Sequence, residues 1–537
     1  MLRINQIRIS AGTDQASHHK IIKEKVAKLL MIDPKRINSI EIIRRSIDAR
    51  HADNILYVYT VDADIRDEDK IRIKNDNVSR TVKNDHVFPY SCDFELKDED
   101  RPVIIGMGPA GLFCAYMLAK AGFRPKVYER GKPIDLRTID VKRFWEDGVL
   151  LPDSNVQFGE GGAGAFSDGK LNTLIKDRSG RNREVLRIFA SHGADESIMY
   201  DSKPHIGTDK LTDVVKNIRE SIISYGGEVY FGSKAEAFEI TDESISGVVF
   251  PDDRIACKNV VLAVGHSARD TFKMLHDLDV PMEPKAFAVG FRVMHPQSVI
   301  DDNQYGRGCE YDLPVASYKL THTAGNRGVY SFCMCPGGYV VNASSEAGMT
   351  AVNGMSYHDR DSSVANSAIV VQVTPDDFED DGVLAGVSYQ RKLERKAYEL
   401  AKGRIPVQKY GDFKKTVCPG ADCRYELELE PKLKGGYEYC ELSGIMPQVL
   451  NECFVQGMEA FGRKIEHFND GNTIMAGIES RTSSPVRILR DDEGMSHIRG
   501  LFPCGEGAGY AGGITSAAMD GIYIAEKIAE RIVRGRI

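Results

Sequence analysis

The segment that most constrains this chain is Val103-Ile104-Ile105 followed at once by Gly106-Met107-Gly108-Pro109-Ala110-Gly111 and a helical pattern from Leu112 to Ala121. A β-branched run, a glycine turn and a helix in that order are the opening of a dinucleotide-binding βαβ unit. Gly106 allows the tight turn, Gly108 lets the backbone approach a pyrophosphate, and Gly111 lets the helix pack closely on the strand. Pro109 and Ala110 complete the turn, whose helix N-terminus then faces the phosphates. A second strand, Pro125 to Tyr128, ends at Glu129 with Arg130 beside it. A carboxylate there can accept hydrogen bonds from ribose hydroxyls.

Composition narrows the setting. A chain of 537 residues has room for several domains at roughly 150 residues each. Seventy Lys and Arg against 78 Asp and Glu give a net charge of -8, which argues against bulk attraction to nucleic acid or anionic lipid. The 11 cysteines are spread without a repeated close spacing, as expected in a reducing compartment rather than in a secreted disulfide framework. Arg3 and Arg8 interrupt the apolar N-terminus, and no apolar run approaches the roughly 18 residues of a membrane span. The expectation is a soluble cytoplasmic protein without a membrane partner.

Near the C-terminus, a strand from Gly500 runs into Cys504-Gly505-Glu506-Gly507-Ala508-Gly509 and then Gly512-Gly513-Ile514 at the start of a helix. This resembles the second FAD motif of two-motif flavoproteins. In those proteins an acidic residue after the strand's glycine binds the ribitol, and the next helix N-terminus faces the flavin pyrimidine. The matching positions are Gly505, Glu506 (Glu where Asp is more usual) and Gly512, Gly513 and Ile514. Asn259 to Gly265, with Ala263 and Gly265, resembles the strand that passes beside FAD in the same proteins. The most glycine-rich stretch, Phe158 to Lys170, offers Gly161, Gly162 and Ala163 as backbone donors, with Ser167 and Lys170 for a carbonyl or anionic group. The bland alternative is a flexible surface loop. Noncovalent FAD is the expected cofactor, and NADH or NADPH fits as a transient electron donor.

Taken with Met334-Cys335-Pro336-Gly337-Gly338, Asn353-Gly354-Met355-Ser356-Tyr357 and Arg481-Thr482-Ser483-Ser484-Pro485-Val486-Arg487, most of the chain resembles the uncharacterised FAD-dependent, or NAD/FAD-utilising, dehydrogenases of bacteria. That resemblance implies the FAD fold and no particular substrate.

The expected class is α/β: a Rossmann-like, two-motif FAD-binding domain (100–275 and 476–537), an inserted α+β substrate or cap domain (276–475) and a small N-terminal β-α-β-β domain (1–95), with Lys97 to Arg101 as linker. From Met1 to Tyr90, about 17 basic residues face 13 acidic ones. An RNA-binding surface is one reading; a solvated face on a docking or oligomerisation domain is favoured, because aromatic residues are not interleaved with the basic ones. His266 could protonate a substrate or donate to the flavin, and Arg481 or Arg487 could clamp a substrate carboxylate. Cys333 and Cys335 would share one strand face as a redox pair or, more simply, as small buried hydrophobes. Cys418, Cys423, Cys440 and Cys453 lack paired-knuckle spacing, so no metal is expected. The functional expectation is hydride transfer through flavin N5 to or from a small organic molecule. The alternative is a structural or redox-sensing FAD whose N-terminal domain binds a protein or RNA, and the chain is compatible with a homo-oligomer.

Overall fold

The computed structural model describes residues 1–173 and 175–535. The N-terminal domain is a four-stranded antiparallel sheet with the order Ile37–Asp48, Leu56–Ile65, Leu2–Ser10, Val78–Arg80, covered by the helix His18–Leu30. The short fourth strand extends the expected β-α-β-β order. Leu2, Ile4, Ile7 and Ile9 are all buried although the alternation slips by one between Ile4 and Ile7. A bulge at this point, with Gln6 at φ +59°, absorbs the extra residue and returns both halves of the strand to the same face. Charges of this domain are paired both within it and across to the next domain. Arg3 pairs with Asp62 and Arg45 with Asp201 of the next domain, while Glu41 receives Lys83 and Arg183.

Lys97 to Arg101 is not a free linker. Asp98–Asp100 form a single 3-10 turn, Asp98 binds Lys126, Glu99 binds Lys258, and the buried Arg101 donates to the Arg124 carbonyl. Upstream, Phe88, Tyr90 and Phe94 pack on the core of the following domain.

That domain is built on a five-stranded parallel sheet with the order Leu501–Pro503, Val260–Leu262, Val103–Ile105, Lys126–Glu129, Glu228–Phe231. Ile104 faces a core formed with the helices Pro109–Lys120, Thr208–Ser224 and Ile514–Arg534. Val103 and Ile105 face a second core, shared with the antiparallel sheet of Ala237–Thr241, Ser244–Val249 and Arg254–Ala256. A strand buried on both faces must read as an unbroken apolar run, and this one does.

The inserted region carries a seven-stranded sheet with the order Thr321–Ala324, Arg327–Cys335, Val364–Val373, Phe287–Pro296, Ile474–Glu479, Ile405–Lys409, Tyr437–Tyr439. The helices Ala385–Ala401 and Gln448–Gly462 pack on it. Tyr339–Asn342 belongs to a separate small sheet with Val352–Met355 and Leu433–Lys434. The boundary expected between 475 and 476 falls inside the strand Ile474–Glu479, whose neighbours are both cap strands. The chain returns through a two-stranded ribbon, Met282–Pro284 against Val486–Ile488. No helix among the described residues is long and apolar enough to cross a membrane.

Candidate functional site

The glycine turn is dictated by close backbone approach. Gly106 has φ +99°, and a Cβ there would lie 2.4 Å from the Ala263 carbonyl oxygen of the neighbouring strand. A Cβ on Gly111 would lie 2.0 Å from the Gly106 carbonyl oxygen, so the first helical turn rests directly on the loop. Glu129 holds this arrangement together from within. Its Oε2 accepts the Met107 N–H at 2.7 Å, and its Oε1 accepts those of Gly131 and Gly159 at 2.9 Å each. The carboxylate expected to meet a ribose therefore first organises two loops. With about four lone-pair sites, it has room for one further donor.

The long glycine segment is not a flexible surface loop. Gly162 (φ +59°) lies against Gly108, and the Gly161 N–H donates to the Met107 carbonyl. The buried Arg137, on the helix Ile134–Asp147, donates to the carbonyls of Asn155, Val156, Gly159, Glu160 and Gly162. One guanidinium thus fixes the whole turn of backbone. No local sequence signal marks Arg137, because its partners are main-chain atoms.

These loops open on a cavity of about 340 Å³ between the parallel sheet and the cap. Of the expected cofactor residues, Gly106, Gly108, Pro109, Ala110, Glu129, Arg130, Gly162, Ala163, Ser167, Lys170, Ala263, Gly265, Glu506, Gly512, Gly513 and Ile514 all line it. Gly111, Gly161 and Gly505 stand behind the wall; at Gly505 (φ +78°) a Cβ would lie 2.6 Å from that of Ala110. Gly513 caps the last helix in extended backbone, φ 169°, and a Cβ on Gly512 or Gly513 would meet no atom within 4 Å. A side chain at either place would project into open space rather than strain the turn.

The expected catalytic residues divide. His266 lines the cavity with Nδ1 3.5 Å from Glu506 Oε1, while its buried Nε2 has no partner. Burial, reinforced by Arg481 and Arg269, pushes the imidazole down to about 3. Burial thus favours the neutral imidazole, whose ring N–H remains able to donate. Arg481 also reaches the cavity, but its guanidinium binds Glu394 at 2.7 and 2.9 Å, Ser345 at 2.6 Å and Ser267 at 3.2 Å. Arg269 binds the same Glu394 at 2.6 and 3.0 Å. This buried triad ties the cap to the parallel-sheet domain, so Arg481 is a latch and not a substrate clamp. Arg487 lies on the return ribbon, 5.3 Å over the Tyr510 ring and outside the cavity wall. Cys335 is buried behind the wall, and it is Cys333 that lines the cavity. No disulfide links any of the eleven cysteines.

The cap also contributes Arg292 and Glu479, which the sequence did not single out. Arg292, fully buried, donates to Glu479 at 2.8 Å, Asn366 at 2.8 Å, Asn353 at 3.0 Å and the Cys333 carbonyl at 3.1 Å. It thereby places Glu479, Asn353 and Cys333 on one wall. Burial pushes the carboxyls of Glu479 and Glu506 up to about 7. Near neutral pH Glu506 lies closer to proton exchange than His266, while the ion pair with Arg292 opposes protonation of Glu479. Glu506, expected on the ribitol, is thus a group able to hold a proton there.

A pH dependence follows from this. A carboxyl raised to about 7 contributes stability that is present below about pH 4.5 and is lost as the pH rises through about 7, an effect that solvent reduces at Glu506, whose side chain is 24% exposed. His266 and His295, held neutral by burial, act in the opposite sense below about pH 6.5. The comparison is therefore made against Glu506→Gln, which mimics the protonated acid at every pH. The stability of Glu506→Gln relative to the parent protein should climb between pH 5 and 8 in urea titrations; a difference independent of pH would place the carboxyl at its ordinary value.

A parallel sheet with one glycine turn at its first strand, and a second strand-to-helix turn entering the same cavity, defines a two-motif nucleotide-binding protein with a cap. The chain belongs to the family of uncharacterised FAD-dependent proteins. Residues 286–482 match the model of the FAD-dependent protein, C-terminal domain-like, and residues 1–64 match a domain of unknown function. An uncharacterised protein of Clostridium beijerinckii is 45% identical over 99% of both chains. Solved structures with loose similarity include glycine oxidase from Bacillus cereus (12% identity, TM-score 0.32, covering 80% of this chain and 97% of that one). Another is L-proline dehydrogenase from P. horikoshii (13% identity, TM-score 0.31, covering 82% and 95%). Overlaps this loose say nothing about substrate.

Proposed function

We propose that the chain binds FAD noncovalently in this cavity and is a cytoplasmic FAD-dependent oxidoreductase acting on a small organic substrate that reaches the cap-side wall. The observation that carries this reading is that the first glycine turn and the Gly512–Ile514 turn, more than 400 residues apart, line one cavity. The residues fit the group. Gly108 and Gly162 leave bare backbone where a pyrophosphate would lie, Glu129 keeps one acceptor position, and the space above Gly512 and Gly513 is free of protein atoms. When bound, FAD supplies two-electron, hydride-type chemistry at its N5. The chain's part is to hold and orient. The N-termini of the helices Pro109–Lys120 and Ile514–Arg534 present unpaired N–H groups and positive dipole ends to anionic charge. Glu506 stores or releases a proton near neutral pH, and Asn353, held by Arg292, offers its amide to the substrate side. NADH or NADPH serves as a diffusible electron donor in this scheme.

Purified protein should be yellow and should release FAD, not FMN, on denaturation. Anaerobic NADH or NADPH should bleach the flavin absorbance. A colourless protein that takes up no FAD, or one holding FMN, ends this reading.

A further inference from the structure

Cys333 and Cys335 lie on the cap strand Arg327–Cys335, but not as regular strand neighbours. The pairing of this strand with Val364–Val373 shifts between Phe332 and Cys335, and Cys333 stands at φ +44°. The irregularity turns the buried Cys335 thiol back onto Cys333, where it lies 3.3 Å from the Cys333 carbonyl oxygen. Cys333 itself is on the cavity wall, together with Lys170, Glu479 and Gly512 to Ile514. Lys170 is anchored beside it on the Met334 carbonyl and stands 3.4 Å from Asp168, while Arg292 binds the Cys333 carbonyl. Asp168 is already paired with Arg360, and Glu479 with Arg292. The neighbouring Cys335 thiol, and after it the charges of Lys170 and Arg292, draw the Cys333 thiol well below its usual range against the opposing effect of burial, whereas burial and the neighbouring Cys333 push Cys335 up. Cys333 is thereby the half-buried sulfur on the cavity wall, its thiol drawn below its usual range, and Cys335 the buried, protonated one behind it, the asymmetry that thiol–disulfide exchange requires.

We propose that Cys333 and Cys335 are a redox-active dithiol that relays an electron pair between FAD and a small disulfide substrate, with Cys333 the attacking and Cys335 the resolving sulfur. The proposal rests on the FAD reading above. In the charging step, the Cys333–Cys335 disulfide would take up two electrons and one proton, for which reduced FAD held in the cavity would be the source. The S–S bond breaks, leaving a Cys333 thiolate, a Cys335 thiol and oxidised FAD. The Cys333 thiolate then attacks one sulfur of the substrate, breaking its S–S bond, forming a mixed disulfide and expelling one thiolate. Cys335, losing its proton, attacks the Cys333 sulfur and expels the second half of the substrate. The Cys333–Cys335 disulfide is restored, and the two products leave as one thiol and one thiolate.

The test uses the full-length, FAD-loaded protein with hydroxyethyl disulfide as probe. FAD content and circular dichroism are recorded for every variant. After diamide the peptide bearing both cysteines should take up no alkylating label, and after dithiothreitol it should take up two. Dithionite-reduced protein, freed of excess reductant without air, should regain its flavin absorbance on adding the probe. Cys333→Ser should slow this at least about tenfold. Cys335→Ser should trap the probe as a mixed disulfide on Cys333, seen by mass. Lys170→Met, which keeps both sulfurs, should raise the pH at which Cys333 alkylates, and Cys453→Ser, outside the cavity, should behave as the parent. The proposal is overturned if FAD-loaded protein keeps two labels after diamide, or if Cys333→Ser reoxidises as fast as the parent. A chain that pairs its thiols yet retains no FAD overturns the relay through the cofactor reading instead, so the two failures are told apart.

Discussion

Glu129→Ala should weaken FAD binding and lower the stability of the flavin-free protein by about 3 kcal/mol or more, since three buried backbone N–H groups lose their acceptor and each such loss costs roughly 1–3 kcal/mol. The three donors belong to Met107, Gly131 and Gly159, so the first glycine turn and the start of the long glycine segment loosen together. A charge-assisted hydrogen bond from a ribose hydroxyl is worth about 1.5–3 kcal/mol, so its loss corresponds, at about 1.4 kcal/mol per tenfold, to FAD affinity weaker by about ten- to 100-fold. Glu129→Gln keeps the shape but turns an amide N–H₂ toward at least one of the same donors, and should fall between the parent and Ala. Urea unfolding of the stripped protein and FAD titration by fluorescence read the two effects. Unchanged stability with weakened FAD would restrict Glu129 to a ribose ligand, and unchanged values of both would remove it from the site.

Glu394→Ala should be comparably severe, at about 3–5 kcal/mol, because breaking a buried ion pair leaves its partner's charge uncompensated: Arg481 loses its carboxylate, and Arg269 keeps only Glu346. Glu394 is fully buried and Arg269 nearly so. Both arginines hold the Glu394 carboxyl well below the usual carboxylate range. A depressed carboxyl contributes stability above its unfolded value, near pH 4.5, and loses it as the pH falls toward the folded value. Parent and Glu394→Gln should therefore differ most at neutral pH and converge in acid. Because the triad joins the helix Arg269–Asp277 to the helix Ala385–Ala401 and to Arg481, limited proteolysis should cut the variant between cap and sheet domain before either core unfolds. A loss below about 1 kcal/mol would mean that solvent already reaches the triad.

The parts of this protein that were legible in the sequence are those whose physical cause is local. Val103 to Ile105 reads as a strand because both of its faces are covered. Gly106 and Gly111 are glycine because a Cβ at either would collide with a carbonyl oxygen 2.4 or 2.0 Å away. The second turn, from Leu501 to the helix at Ile514, is readable for the same kind of reason. The roles of charged and sulfur-bearing side chains were not readable in this way. Arg137 serves carbonyls 18 to 25 positions away, Arg292 meets Glu479 across 187, and Arg481 meets Glu394 across 87. None of these pairs has a spacing that a helix or strand period would reveal. The cap boundary was misplaced by a few residues because Ile474–Glu479 is as apolar as a Rossmann strand, and only its pairing partners assign it to the cap.

The two glycine turns and the strands that lead into them follow from the order of amino acids, since glycine positions and apolar runs answer to sterics within a few residues. The tertiary structure alone decided the chemistry of the walls. Whether His266 carries a proton, whether Glu506 and Glu479 keep theirs, and whether Cys333 is a thiolate all depend on desolvation and on charges brought in from distant segments, and both exist only once the chain has folded.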